Sequence, residues 1–231
     1  MKLFKQLRQP LAHLGLAAAL CVTCLGPLPA QAQSLSMLQE ELIQRDNSNP
    51  ERVRMAFWTP VEYFMLSSPN DVQGSKMLAE TLRGYTMMLV LNADKSGVVI
   101  KPRPSEETLR NCSLQINDGP LLKPVADKDL SEDLRMLKGL LRPIFKNIIG
   151  DVGASFEFVL FRTADTKGNT NVDILKPGKL RLLTSGSSYE FKTPLAGAMP
   201  TMIDAQTGEE FPGTFRFSPF TGTVLKPKNS K

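Results

Sequence analysis

The chain has 231 residues, with 28 basic and 23 acidic side chains, a formal net charge of +5, one histidine and three cysteines. Three of the basic residues, His13 and two of the cysteines precede residue 33, so the remainder has a net charge of +2 and no histidine. A protein without histidine cannot use Ser-His-Asp or Cys-His catalysis, nor offer imidazole to a metal ion. The nearly neutral balance is no argument for nucleic-acid binding, which would need a clustered basic face, and we expect no nucleic-acid partner.

Residues 1–32 have the three-part layout of a secretory signal peptide. A basic start is followed by the apolar segment 11–28, and Ala30 and Ala32 occupy the positions that a signal peptidase requires. We therefore expect export, to the periplasm or as a secreted protein, with Gln33 as the first residue of the mature chain. A retained membrane anchor is the alternative, but the apolar run is shorter than the ~20 residues that a span needs.

The elements that follow the leader begin with a helix. Leucines at helical spacing predict this helix over residues 34–44. The polar residues 45–52 indicate a linker, and RVRMAFW at 52–58 predicts a strand.

Two helices and a buried strand come next. Residues 61–68 predict a short helix, with Thr59 as its cap and Glu62 completing a capping box. A second helix should span 71–83. Residues 85–92 are apolar at both odd-numbered and even-numbered positions, which predicts a strand covered on both faces.

The centre of the chain contains short elements and then a long helix. Residues 97–102 and 112–117 predict strands, and 104–110 predicts a short helix or an extended edge. Apolar residues recur at steps of three and four over 129–149, which predicts an amphipathic helix. Pro143 should kink or split this helix, which should end at Gly150.

The fold class follows from the order of these elements. Strands are predicted at 155–162, 179–184 and 189–192, with a loop at 163–171. Helices and strands occur in clumps rather than in strict alternation, which favours an α+β fold. We expect an antiparallel or mixed sheet, with a sandwich-like arrangement as one form of it, two or three packed helices and a C-terminal hairpin docked on it.

The corresponding domain prediction has four parts. Residues 1–32 are the signal peptide and 33–200 the α+β domain. Residues 201–225 form the hairpin and 226–231 a solvated basic tail.

Three features outside the tail are candidate interaction residues. Trp58 lies in an aromatic segment and could be a ligand platform, although core filling is the interpretation we favour. A basic stripe could contact acidic lipid headgroups or an acidic partner, although a solvated helix face is the simpler reading. The stripe consists of Arg135, Lys138, Arg142 and Lys146. Cys112, the only cysteine after the leader, is either a buried thiol or half of an intermolecular disulfide.

The tail contains two matching units, DAQTG at 204–208 and SPFTG at 218–222. Their spacing resembles a zinc ribbon of the rubredoxin-like kind, in which two C-x-x-C-G units hold zinc. The ligand positions are occupied here by Asp204, Thr207, Ser218 and Thr221. Because none is a cysteine, the zinc that the resemblance implies is not expected, and we predict neither a metal nor a cofactor.

The same segment has four of the twelve phenylalanines of the chain, at positions 211, 215, 217 and 220. Burying four rings would stabilise the tail by ~2–3 kcal/mol each. A hairpin cannot bury four rings within itself, so the tail should dock on the main domain.

The wider arrangement is also similar to that of a known group of proteins. It combines FWTPVEYF at 57–64, a helix leading into LRGYTMMLVLNAD at 82–94, further sheet segments and the ribbon-like tail. This order resembles a group of uncharacterised exported bacterial proteins, and the resemblance implies no activity.

The sequence leaves three functions open. The first is a non-catalytic exported module that binds a ligand or an envelope protein, or supports envelope assembly. The alternative is a hydrolase of envelope polysaccharide, in which two carboxylates within ~5–10 Å of each other line one cleft. The third is a peripheral membrane protein that uses the basic stripe.

Overall fold

The computed structural model describes residues 30–149, 151–164 and 172–228. The leader up to residue 29 lies outside the described residues, as do Gly150 and most of the predicted 163–171 loop. The described residues form an α+β fold built from antiparallel sheets.

The first sheet has five strands, of which four follow the order β1–β2–β3–β4. The fifth strand, β7, pairs with the first half of β3, whereas β4 pairs with its end. The five strands are β1 (Ile43–Asp46), β2 (Arg52–Trp58), β3 (Tyr85–Ser96), β4 (Val99–Pro102) and β7 (Glu157–Arg162). β3 pairs with all except β1, and its residues from Thr86 to Ala93 are buried. This confirms the strand predicted from the two-sided apolar run.

The second sheet has the strand order β6–β5–β8–β9. Its strands are β5 (Ser113–Ile116), β6 (Leu121–Leu122), β8 (Gly178–Thr184) and β9 (Ser187–Thr193). The Trp58 ring of the first sheet packs edge-on against Phe191, with 6.0 Å between ring centroids. The Ser187 hydroxyl donates to the Asp46 carboxylate at 2.5 Å. One face of the first sheet is therefore covered by the second sheet.

Helices cover the opposite face of the first sheet. The described helices are α1 (Ala30–Leu42), α2 (Val61–Ser67), α3 (Val72–Thr81), α4 (Ser105–Thr108), α5 (Glu132–Ile149) and α6 (Asp151–Ala154). The Phe57 ring of β2 contacts Tyr63 of α2 at 5.1 Å and Phe145 of α5 at 6.4 Å between centroids. The result is a layered molecule with helices on one side of the central sheet and a second sheet on the other.

The tail forms a small sheet of its own. Its strands are β10 (Met202–Ile203), β11 (Glu210–Phe211) and β12 (Lys226–Pro227), with β10 in the centre. The pairing therefore extends into the segment that we predicted to be a solvated tail. The turn before this sheet is fixed to α1, because the Glu41 carboxylate accepts from the N–H groups of Ala196 and Gly197 at 2.8 and 2.9 Å.

Two local predictions were wrong, and a third was wrong in part. The expected linker at 45–52 contains the end of β1, which pairs with β2 and is held by an Arg54–Asp46 ion pair of 3.3 Å. Thr59 does not cap α2, since its hydroxyl instead donates to the Met87 carbonyl at 3.1 Å and Pro60 is the N-cap residue. The third concerns Pro143, which was expected to kink or split its helix: α5 continues through Pro143, so the proline does not split it, and a kink stays a prediction.

Candidate functional site: an apolar cleft

A cleft of about 550 Å³ opens between the helix-facing side of the first sheet and the helices α2, α3 and α5. This volume lies within the ~300–1,000 Å³ typical of small-molecule sites. The sheet contributes apolar side chains from four neighbouring strands, and the helices and adjoining loops contribute the rest. The apolar sheet residues are Ile43, Val53, Met55, Phe57, Leu91 and Ile100.

Strand register explains why these side chains meet. Ile43 is opposite Phe57, and Met55 is opposite both Arg45 and Leu91. Residues directly opposite one another in a sheet point to the same side, and alternate residues of a strand share a face. The odd-numbered residues of β1 and β2 therefore line the cleft, whereas the even-numbered residues, including Trp58, face the second sheet.

The amphipathic pattern of α5 supplies the facing wall. Its contributions to the cleft are Met136, Leu137, Leu140, Leu141, Ile144 and Phe145. The Phe145 ring also lies 5.7 Å from the Phe158 ring and 6.4 Å from the Phe156 ring, centroid to centroid. Packing among these rings fixes the end of α5 on the sheet.

Polar side chains are a minority of the cleft lining, and several of them have structural roles. The Gln39 amide donates to the Tyr63 hydroxyl at 3.3 Å. The Asp71 carboxylate caps α3 by accepting from the Gly74 N–H at 2.8 Å, and a Cβ on Gly74 would come within 2.2 Å of that carboxylate.

Arg45 and Asp133 are the charged cleft residues that remain. Both are exposed, and no ion pair joins either of them to another side chain in the described parts of the chain. Arg45 differs in this respect from Arg52 and Arg54 of the neighbouring strand, which pair with carboxylates. The cleft is therefore an apolar chamber with two free charges at its edge, which suits a hydrocarbon ligand better than a sugar.

Trp58 is not at the cleft. It is 1% exposed and packs between the sheets against Phe191. The structure thus places it where core filling, rather than ligand stacking, accounts for it.

The basic stripe on α5 is partly engaged in ion pairs. The Lys138 ammonium pairs with Asp127, and the Arg142 guanidinium lies 3.8 Å from a Glu157 oxygen. The same guanidinium is 5.7 Å from the centroid of the Phe158 ring. Arg135 and Lys146 are exposed. The stripe is therefore not a row of four uncommitted charges.

The tail brings three of its four candidate ligand positions together. The Asp204 carboxylate, which is fully buried, accepts from the Thr221 and Thr223 hydroxyls at 2.7 and 2.9 Å and from the Gln206 N–H at 2.9 Å. Ser218 is also buried, and its hydroxyl accepts from the Thr221 N–H at 3.2 Å. Thr207 is exposed and accepts from the Glu209 N–H at 3.2 Å.

The Asp204 carboxylate therefore links the two units directly. Its hydrogen bonds, chiefly the one from Thr221, lower the pKa of the carboxyl to about 2. A carboxylate and hydroxyls thus join the units at the positions where the resemblance would place thiolates and zinc. Within the described residues, no group of three His, Cys, Asp or Glu side chains is placed to hold a metal ion.

The predicted burial of the four tail phenylalanines was wrong for three of them. Phe211 is buried, but Phe215, Phe217 and Phe220 are 40%, 58% and 75% exposed. The physical reason is the small size of the tail sheet, of which Phe211 and the two residues after it lie beside Met37 and Ala196 of the main domain. At that contact a Cβ on Gly213 would come within 2.3 Å of the Met199 side chain.

Cys112 lies in the core and is 2% exposed. Burial raises the pKa of its thiol to about 11. Both properties describe an inert thiol, and a disulfide to another chain would require the core to open first.

The sequence patterns predict the apolar cleft residues only as members of the core. Strand alternation and the α5 stripe were visible, but they specify which side chains face inward and not whether the space between them is filled. No signal in the sequence distinguishes a lined cleft from a packed core at these positions.

Comparison with protein families, with curated proteins and with solved structures finds no match for the chain. Among the helices of the described residues, none is both long and apolar enough to span a membrane. The geometry of the chain itself is therefore the basis for a functional conclusion.

Proposed function

We propose that the protein is an exported, non-catalytic binding module that holds the hydrocarbon part of an amphiphilic ligand in the cleft. The observation that carries this proposal is the 550 Å³ volume walled by apolar side chains of four strands and four helices. Transfer of a hydrocarbon chain from water into such a space is favourable by ~0.8 kcal/mol per buried methylene.

The non-catalytic part of the proposal rests on the few polar groups present. Of the described cleft residues, only Asp71 and Asp133 are acids, and Asp71 already caps α3. A pair of acids poised for acid–base chemistry would be expected to have both carboxyl groups available to substrate. The alternative of a polysaccharide hydrolase stays a prediction without a specific supporting contact.

Export remains part of the proposal. Cleavage before Gln33 would remove the leader and retain Leu38 and Leu42, the two α1 leucines that are fully buried. Mass spectrometry of the protein isolated from the producing cells should give a mature chain that begins at Gln33. A full-length chain confined to the cytoplasm would contradict this part of the proposal.

The cleft is tested by filling it. Dodecanol should displace the fluorescent probe anilinonaphthalene sulfonate from the wild-type protein. Met136→Trp places a large ring in the cleft, whereas Met65→Trp is a matched control, since Met65 is 50% exposed and outside the cleft lining. If the ring excludes two methylene groups of the ligand, dodecanol affinity should fall by roughly tenfold in Met136→Trp.

Two results would overturn the proposal. One is failure of dodecanol to bind the wild-type protein, and the other is equal binding by the two variants. Thermal unfolding of both variants serves as the folding control. If Met136→Trp is unfolded, Leu140→Trp on the next turn of α5 provides the same comparison.

A further inference from the structure

Four apolar side chains of the tail are exposed to water together. They are Phe215, Phe217, Phe220 and Val224, called here the aromatic tip, and their exposed fractions are 40%, 58%, 75% and 66%. Large apolar side chains grouped on a surface commonly mark a site of interaction, because their burial by a partner is favourable.

The aromatic tip is held in place by a regular backbone. The Gly222 N–H donates to the Ser218 carbonyl at 2.9 Å, and the Ser218 N–H donates to the Thr223 carbonyl at 2.8 Å. Phe217 and Val224 are partners in an antiparallel bridge. The exposed rings are therefore presented by an ordered turn.

The buried Phe211 ring forms the base of the tip. Its centroid lies 6.1 Å from that of Phe215 and 6.2 Å from that of Phe220. Phe215 and Phe220 thus both pack against one anchored ring and remain exposed on their other sides.

The charged residues that lie among and after the exposed rings are basic. Residues 201–228 contain three acidic and three basic side chains, but the acidic ones all precede Phe211 and the basic ones all follow it. Lys228 pairs with Glu210, whereas Arg216 and Lys226 are exposed and have no ion pair within the described residues. Arg216 lies between Phe215 and Phe217 in the chain, so a positive charge accompanies the exposed rings.

We propose that the aromatic tip inserts into the interface of an anionic phospholipid membrane, with Arg216 and Lys226 contacting the headgroups. Aromatic side chains favour the membrane interface, and nearby Lys and Arg add attraction to anionic lipid. A lipid surface requires no shape complementarity, whereas a specific protein partner buries ~800 Å² on each side around central pockets. Exposed rings on short turns fit the lipid surface better.

This surface differs from the one that sequence analysis considered for membrane contact. On α5, Lys138 and Arg142 are already ion-paired, and the stripe lies on a helix whose apolar face is turned inward. The aromatic tip combines exposed apolar area with the nearby charges of Arg216 and Lys226. The inference does not depend on the ligand cleft.

Vesicle co-flotation tests the inference directly. The mature protein should bind vesicles of phosphatidylcholine and phosphatidylglycerol, and bind vesicles of phosphatidylcholine alone more weakly. Phe217→Ser combined with Phe220→Ser should reduce binding to the mixed vesicles by at least about tenfold, because the two most exposed rings are lost. Arg216→Gln should reduce binding to the mixed vesicles and leave binding to the neutral vesicles unchanged.

A matched control separates specific insertion from general surface apolarity. Val98→Ser combined with Val99→Ser removes two side chains that are 99% and 63% exposed, in the β3–β4 turn and at the start of β4, and it should leave vesicle binding unchanged. Binding that is absent in the wild type, insensitive to phosphatidylglycerol, or unchanged in the double phenylalanine variant would overturn the proposal. A second copy of the chain would be the partner instead if the wild-type protein self-associates without binding vesicles and the double phenylalanine variant does not self-associate. That result would also overturn the proposal. Thermal unfolding near the wild-type temperature confirms that the variants are folded.

Discussion

The central sheet and the tail sheet are stabilised in different ways. In the central sheet, β3 is paired on both sides and covered on both faces, and Met88 and Leu89 are fully buried. In the tail, the three strands have two residues each, a buried carboxylate accepts hydrogen bonds from neighbouring loop hydroxyls, and most of the aromatic side chains face water. The comparison shows that one chain can combine a core held by apolar burial with a module held by hydrogen bonds about Asp204.

Size explains the difference. Elements of two residues cannot bury enough apolar surface to offset the entropy of ordering the backbone, so another stabilising contribution is needed. Small domains often use a metal or a disulfide for this purpose. The tail instead uses a carboxylate that accepts hydrogen bonds from both of its units, and its contact with the main domain through Phe211.

The largest expected loss of stability comes from the central sheet. Leu89→Ala should lower the free energy of unfolding by about 3 kcal/mol, because it leaves a cavity in a site where the rest of the sheet cannot collapse. Urea denaturation measures this loss. Leu175→Ala is the matched control, since Leu175 is 54% exposed, and its effect should stay below about 0.5 kcal/mol. Equal losses in the two variants would contradict a core held by burial at β3.

A second prediction concerns the carboxylate of the tail. Asp204→Asn replaces one acceptor oxygen with an amide donor, so the Thr221 and Thr223 hydroxyls lose their charged acceptor. We expect the tail to open locally while the sheets remain folded, so protease cleavage within 201–228 should accelerate at a nearly unchanged melting temperature. Intact resistance to cleavage in Asp204→Asn would show that the carboxylate is not what holds the tail.

The same carboxylate makes the tail sensitive to acid. The pKa of Asp204 falls from 3.8 to about 2, because its charged form accepts hydrogen bonds from Thr221 first and from Gln206. A group with a depressed folded-state pKa stabilises above its unfolded pKa and loses that contribution as the pH falls through the folded value. Cleavage of the wild-type tail by pepsin should therefore accelerate as the pH falls from about 4 to about 2, and Asp204→Asn should show little of this change.

The parts of the fold that could be predicted are those in which the local pattern determines the outcome. The two-sided apolar run of β3, the stripe of α5 and the alternation of β8 and β9 each predicted the correct element. β1 was missed because its sequence, IQRD, is polar, and its strand depends on pairing with β2.

The candidate sites were less predictable because they depend on how the layers meet. The cleft exists because α2, α3 and α5 leave space over the sheet, and helix placement cannot be read from periodicity. The exposure of Phe217 and Phe220 likewise depends on how little of the tail touches the domain. The spacing of Asp204 and Thr221 did identify positions that the structure brings together, although not the bonds between them.

The smallest predicted effect tests whether the two units of the tail depend on backbone geometry. Gly222 has φ +71°, and no heavy atom lies within 4 Å of the position that a Cβ would occupy, so Gly222→Ala meets backbone strain and no clash. It should lower tail stability by about 1 kcal/mol, whereas Gly139→Ala in α5, where the space is also open, should raise global stability by ~0.5–1 kcal/mol. Hydrogen exchange of amides in 201–228 measures the first change and urea denaturation the second. Stability changes of opposite sign in the two variants would show that the tail requires a left-handed residue at Gly222. Changes of the same sign would show that the turn tolerates an ordinary conformation and that the Asp204 hydrogen bonds alone define the unit.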